Sequence, residues 1–332
     1  MQVPVGILST PDPAFRGSAL QPDIRAILAA LPKTLDEAYE RLLMDINEDN
    51  REHARHLLHC LAVSVRPLRV EELAEILALD FDAAQDGIPK FHADWRPKDQ
   101  EWAVLSICSS LITIVDNRGS RVVQFSHLSV KEFLTSNRLA SSTGQLSSYY
   151  IHPRPAHTTL TQVCLSLLTH LDDDSDDKPV LKSPLTDYAA RHWIAHAQFE
   201  DVASRVEDGM ISLFDPNRPH FRAWLTLYDI DAGSGGKLRS EIPRPMYYAA
   251  LCGFHGLVRH IINKYPQDVN AFGGSYGFPL IAALCRNHFR VAELLLEHGG
   301  SFDAQDVRMW CEHGRRVTMS PTRPQVQVSS PR

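Results

Sequence analysis

Apolar residues recur at three- and four-residue steps early in the chain: Leu28, Leu31, Leu35, Ala38, Tyr39, Leu42, Leu43 and Ile46, interrupted by Pro32. Thr34 and Glu37 form a capping-box pair, so a helix is predicted to run from there to about Asp49. A second helix, 51–64, has Ala54, Leu57, Leu58, Leu61 and Ala62 on one face. A third, 70–79, follows Pro67 and turns Val70, Leu73, Ala74, Ile76 and Leu77 inward, with Glu71, Glu72 and Glu75 opposite. Residues 80–100 read as a polar connection with two prolines and Gly87, followed by a short helix from Trp102 to Ser109. Then the period changes to two. Strands at 111–116 and 121–126 flank an Asn-Arg-Gly turn, and helix resumes at His127–Arg138 behind a Ser129–Glu132 capping box.

Three helices closed by a hairpin make a winged-helix pattern. Amphipathic helices continue at 157–171 and 185–207, separated by the acidic run DDDSDDKP, which reads as a solvated loop because no EF-hand glycine or closing glutamate follows. A breaker stretch, DAGSGGKLRSEIPRP at 231–245, precedes an internal repeat. AALC at 249–252 recurs at 282–285, an offset of 33. At that offset His255 meets His288, Val258 meets Val291, Ile262 meets Leu295, and VNA (269–271) meets FDA (302–304). Pro245 and Pro279 lie 34 apart, so the second copy lacks one residue near its first helix. These phrases resemble the ankyrin repeat, with Tyr247 and Ile281 in place of its usual histidine and Arg286 opposite Gly253. A degenerate copy is a further candidate within 215–244. The expected organisation is an irregular lead-in (1–22), a winged-helix module (23–140), a helical extension (141–230), a linker or degenerate repeat (231–244), an ankyrin solenoid (245–305) and a disordered Pro/Ser/Arg-rich tail (306–332). The fold class is mainly α.

Bulk properties narrow the function. The formal net charge of -6 provides no general attraction to nucleic acid or anionic membranes. The six cysteines stand singly with no CxxC pair, as expected of a reducing compartment. No apolar run approaches the ~20 residues of a membrane span and no secretory signal is evident, so a cytoplasmic location is expected.

Several long phrases carry a family resemblance. LPKTLDEAYERLL (31–43), RPLRVEELAEILALD (66–80), LITI and VVQFSHLSVKEFL within 111–134, and YAARHWIAHA (188–197) resemble the region after the nucleotide-binding core in fungal NACHT–ankyrin proteins, which are switch ATPases of the NOD-like receptor (STAND) type. The winged-helix part is similar to a module named after GPI inositol-deacylase. The resemblance implies a regulatory arm that folds onto an ADP-bound NACHT domain in cis, and repeats that bind a protein partner. It also implies a role for His127, which would contact the ADP phosphate where a NACHT domain is present; within this chain alone, packing or capping accounts for it. No cofactor is expected in the chain itself. GSGGKL (233–238) has the wrong glycine spacing for a P-loop, and Leu238 follows its lysine.

Loop formation and packing account for the other motifs. GGSYG (273–277) satisfies G-x-S-x-G, but Ser275 falls in an inter-repeat loop rather than a strand–helix elbow. HWIAH (192–196) lacks the glutamate of a zinc-binding HExxH, and His53, His56 and His59 follow a polar helical face. A DNA-binding winged helix is the main alternative, disfavoured by the glutamates on the third helix and by a wing offering Arg118 and Arg121 alone. A GPI-processing hydrolase is the weaker one. The expectation is therefore a non-enzymatic regulatory and scaffold protein with no catalytic or metal site. Tyr247, Tyr248, Phe272, Tyr276 and Phe278 are its candidate partner-binding residues.

Overall fold

The computed structural model describes residues 34–85, 87–171, 183–232 and 242–301. The lead-in, the first apolar positions Leu28 and Leu31, the acidic run, most of the 231–244 linker and everything from 302 onward lie outside the described residues.

Helix α1 (Leu35–Met44) begins at Thr34, whose hydroxyl accepts the Glu37 amide at 3.2 Å. Next come α2 (Arg51–Val63), a two-residue strand β1 (Leu68–Arg69), and α3 (Val70–Ala74), which tightens into a 3-10 turn at Glu75–Ala78. After α4 (Gln100–Cys108), strands β2 (Ile112–Asn117) and β3 (Ser120–Phe125) form the expected hairpin. Its two turn residues, Arg118 and Gly119, have φ of 53° and 85°, as a tight right-twisted hairpin requires. The Asp116 carboxylate accepts the Gly119 amide at 2.9 Å. Strand β1 pairs with β3 through Leu68↔Val123, making a three-stranded sheet in the order β1-β3-β2. Helix, strand, helix, helix, hairpin is the winged-helix order, and α4, expected at Trp102–Ser109, is the last helix before the wing.

The segment expected to be a polar connection is a second hairpin. Strands β4 (Leu79–Gln85) and β5 (Ile88–Phe91) pair through Leu79↔Phe91 and Asp80↔Lys90. Asp86-Gly87 was the available hairpin signal. This insertion changes the environment of α3. Glu72 and Glu75, expected on a solvent face, are 0% and 1% exposed. Arg96, in the loop after β5, reaches Glu75 at 2.8 Å, while Arg66 holds Glu72 at 2.6 and 2.7 Å. The Glu72 carboxylate also accepts the Arg69 amide at 2.8 Å and so caps α3. A buried carboxylate persists only with such compensation.

Beyond α5 (Leu128–Leu134) and α6 (Asn137–Ala140), the extension is built around α7 (Pro153–Leu168), buried from Leu160 to Leu168 at all positions but one. It packs on α2, on β5 and on α8 (Thr186–Ala197). Shorter helices α9 (Val202–Arg205), α10 (Glu207–Leu213) and α11 (His220–Leu227) follow. The described part of the candidate degenerate repeat contains one helix, α11, tied to α8 by the Trp224 Nε1–H bond to the Ala190 carbonyl at 3.0 Å.

The repeated sequence forms two helix pairs: α12 (Pro245–Cys252) with α13 (His255–Lys264), then α14 (Pro279–Cys285) with α15 (Phe289–Glu297). First helix packs on first helix and second on second. The missing residue shortens α14 by one, and the turn after it is one longer. In the first pair that turn uses Gly253 at φ 76°, with the His288 ring where a Cβ would sit. In the second pair Asn287 takes the left-handed conformation. Cys60, Cys108, Cys164 and Cys252 are buried, as small apolar side chains.

Candidate functional site

The loop between the helix pairs is tied on three sides. The Ser275 amide donates to the Asp231 carboxylate at 2.6 Å, the Tyr276 amide donates to Tyr247 Oη at 3.2 Å, and the Gly273 amide donates to the Gly277 carbonyl at 2.7 Å. Gly274 has φ 75°, and a Cβ there would lie 2.0 Å from the Tyr247 ring, so only glycine fits. Loop position is therefore set by the ring beneath it.

This separates the five candidate aromatic residues. Tyr247 and Tyr248 are each 1% exposed and cannot be surface anchors. Tyr247 supports the loop. Tyr248 donates to Asp229 Oδ1 at 2.8 Å and packs against Phe221 and Trp224. Burial, followed by the nearby Asp229 charge, raises its pKa, so it stays protonated. Phe272 is 70% exposed and meets the half-buried Phe278 edge-on at 5.4 Å. Tyr276 is also half-buried. Counting aromatic residues in the sequence could not separate these groups, because both lie at helix starts or loop ends.

His127 caps α5: its Nδ1 accepts the Ser129 amide at 3.2 Å. The predicted Ser129 cap is displaced by two residues to His127, and the Ser129 hydroxyl is engaged instead by His127 Nδ1 (2.6 Å) and Tyr39 Oη (2.7 Å). That chain fastens α1 to α5. Acceptance at Nδ1 places the neutral ring's proton on Nε2, and the residue is exposed.

The remaining motifs are structural. GGSYG lies between a 3-10 turn (Pro266–Asn270) and α14, and the Ser275 hydroxyl approaches the Asp231 carbonyl at 3.4 Å. His196 is fully buried. Tyr188 Oη accepts the Val65 amide (3.0 Å) and donates to His196 Nε2 (2.8 Å), leaving His196 Nδ1–H for His157 Nδ1 (2.8 Å). His56 and His59, expected on a polar face, are 7% and 4% exposed, because the β4–β5 hairpin and α7 cover that side of α2. Phe81 stacks on His56 at 3.7 Å, and His59 reaches Thr159 at 3.5 Å. Among the described residues no three His, Cys, Asp or Glu side chains are grouped to hold a metal.

On the winged-helix face, α4 presents Trp102 at 69% exposure. Two arginines of this face are engaged internally: Arg121 with Glu101 at 2.6 Å, and Arg69 with Glu71 and Glu72 at 3.1 Å. Glu72 and Glu75 are buried and so do not repel DNA at the surface, whereas Arg69 and Arg121 are already paired and less available to phosphate. Among the described residues, no helix is long and apolar enough to cross a membrane.

Residues 39–144 match the family model described as GPI inositol-deacylase, winged helix domain. This agrees with the element order, and the segment is a winged-helix domain of that type. Azaphilone pigments biosynthesis cluster protein L of Monascus ruber is 30% identical over 300 residues, covering 84% of this chain. The chain spans 62% of the length of that relative. No solved structure gives a significant match.

Proposed function

We propose that the chain is a non-enzymatic regulatory and scaffold part of an intracellular signalling protein, whose two helix pairs form an ankyrin-type array that binds a protein partner. The single observation carrying this reading is the loop between the pairs: it is held rigidly by Tyr247 and Asp231 yet leaves Phe272 exposed, packed edge-on against Phe278. A fixed loop presenting an apolar ring loses little entropy on binding, and aromatic anchors dominate such interfaces. Phe272→Asp is expected to leave the fold unchanged and to reduce retention of the chain's cellular partner about tenfold or more. Equal retention of the same partner by both forms, compared by quantitative affinity capture and then with the purified partner, would remove the loop from the interface.

In this reading the winged-helix domain packs on a nucleotide-binding NACHT domain in cis, with His127 donating from Nε2 to the ADP phosphate. The long phrases shared with NACHT–ankyrin proteins support it, as do the exposure and tautomer of His127. In a form carrying that domain, His127→Ala is expected to weaken ADP retention about tenfold, the worth of one charge-assisted hydrogen bond. Unchanged ADP dissociation would exclude the contact.

A further inference from the structure

An unassigned groove of about 450 Å³ lies between the turn entering α11 and the segment entering α12. Among the described residues, Arg218, Arg222 and Arg244 line it, and no carboxylate does. We propose that this groove binds a phosphate-bearing ligand through these three guanidinium groups.

The charge pattern is the first reason. In a chain of formal net charge -6, three like charges around one cavity repel one another unless an anion sits between them. Nearby acids compensate them only in part. Asp215 is engaged by the Asn217 amide at 3.0 Å and by Lys264 at 3.8 Å. Asp268 stands 4.0 Å from Arg244, whose side chain remains 63% exposed. Arg218 donates to the Ser212 hydroxyl at 3.2 Å, and Arg222 forms no ion pair among the described residues.

Side-chain type and wall construction supply the rest. Guanidinium groups present a planar fork that matches phosphate oxygens and are weakly hydrated, so three of them favour a multiply charged phosphate over a single carboxylate. Pro216, Pro219, Pro243 and Pro245 form much of the wall and fix its backbone, which lowers the entropy cost of binding. Phe221 and Ile242 add an apolar surface for the uncharged remainder of a ligand. The α11 amino end also opens here, capped by Pro219 without a side-chain bond, and its dipole favours an anion in the groove.

The test is calorimetric titration of the full 332-residue chain with inorganic pyrophosphate at low ionic strength, against acetate at matched ionic strength. One-site pyrophosphate binding is expected, weakening with added salt. Arg222→Gln should weaken it about tenfold, and the Arg218→Gln/Arg222→Gln double variant should abolish it while keeping the parent's circular dichroism. A phosphoserine peptide binding more tightly than pyrophosphate would identify a phosphorylated protein as the source; the reverse order would identify a small phosphate compound. No binding up to about 5 mM pyrophosphate, or unchanged binding by the double variant, would overturn the proposal.

Discussion

Lowering the pH from 7.5 to 5 is expected to destabilise the chain by several kcal/mol, about 2 kcal/mol for each of three buried histidines. Burial, followed by the Arg55 charge, lowers His56 to about 3 and His59 to about 4. Burial, followed by its histidine neighbours, lowers His196 to about 3. The unfolded chain takes up these protons near the ordinary value of about 6.5, whereas the folded chain does not. Stability from all three is therefore complete above about pH 6.5 and is lost as the pH falls toward 4 and 3.

The hydrogen bonds require the same neutral rings. Arg55 donates to His56 Nε2 at 3.2 Å, and Tyr188 donates to His196 Nε2 at 2.8 Å; protonation turns each acceptor into a donor. Urea unfolding at pH 7.5, 6 and 5 measures the effect. Midpoints that stay flat across this range would show that the rings are not held neutral. A shallower slope for His56→Gln would assign its share.

Trp193→Ala is expected to cost about 3–5 kcal/mol, the range for truncating a large buried aromatic. Trp193 is 0% exposed, with Trp224, Phe254 and Phe214 rings at 5.5, 5.4 and 6.2 Å. Phe254 belongs to the turn of the first helix pair, so this cluster joins the extension to the proposed binding array. Beside it the Gln198 side chain donates to the Cys252 carbonyl at 2.7 Å. Removing the indole leaves a cavity where two units meet, so the helix pairs should melt before the winged-helix domain. Trp193→Phe separates the causes. It keeps a ring in the cluster and removes an indole N–H that has no partner among the described residues, so its cost should stay below about 1.5 kcal/mol. A loss below about 1 kcal/mol for Trp193→Ala, measured by urea unfolding, would show that the cluster does not couple the units.

Much of the architecture was legible locally. The hairpin 112–125 announced itself by β-branched residues around Asn-Arg-Gly, and its pairing falls within one residue of the predicted bounds. The α1 cap at Thr34 and the one-residue deletion in α14 were also readable, because each depends on neighbours in sequence. Most of what failed depended on distant chain, the Asp-Gly hairpin and the His127 cap being local exceptions. The sequence around Glu72, Glu75, His56 and His59 looked like solvated polar faces, and nothing in helical spacing announces that a hairpin and α7 will cover them. Tyr247 and Tyr248 resembled Phe272 as aromatic residues near a loop, yet two are core and one is surface.

By itself, then, the sequence determined the helix pattern, the winged-helix hairpin, the repeated helix pair and the lack of a P-loop. Tertiary structure alone decided which charged and imidazole groups are buried, which aromatic rings remain exposed, and that three separated arginines share one groove. Capping, turns and amphipathic period arise from contacts a few residues apart. Burial and electrostatic environment are set by groups far along the chain, as Arg96 packs on Glu75 from 21 positions away and Tyr188 on Val65 from 123.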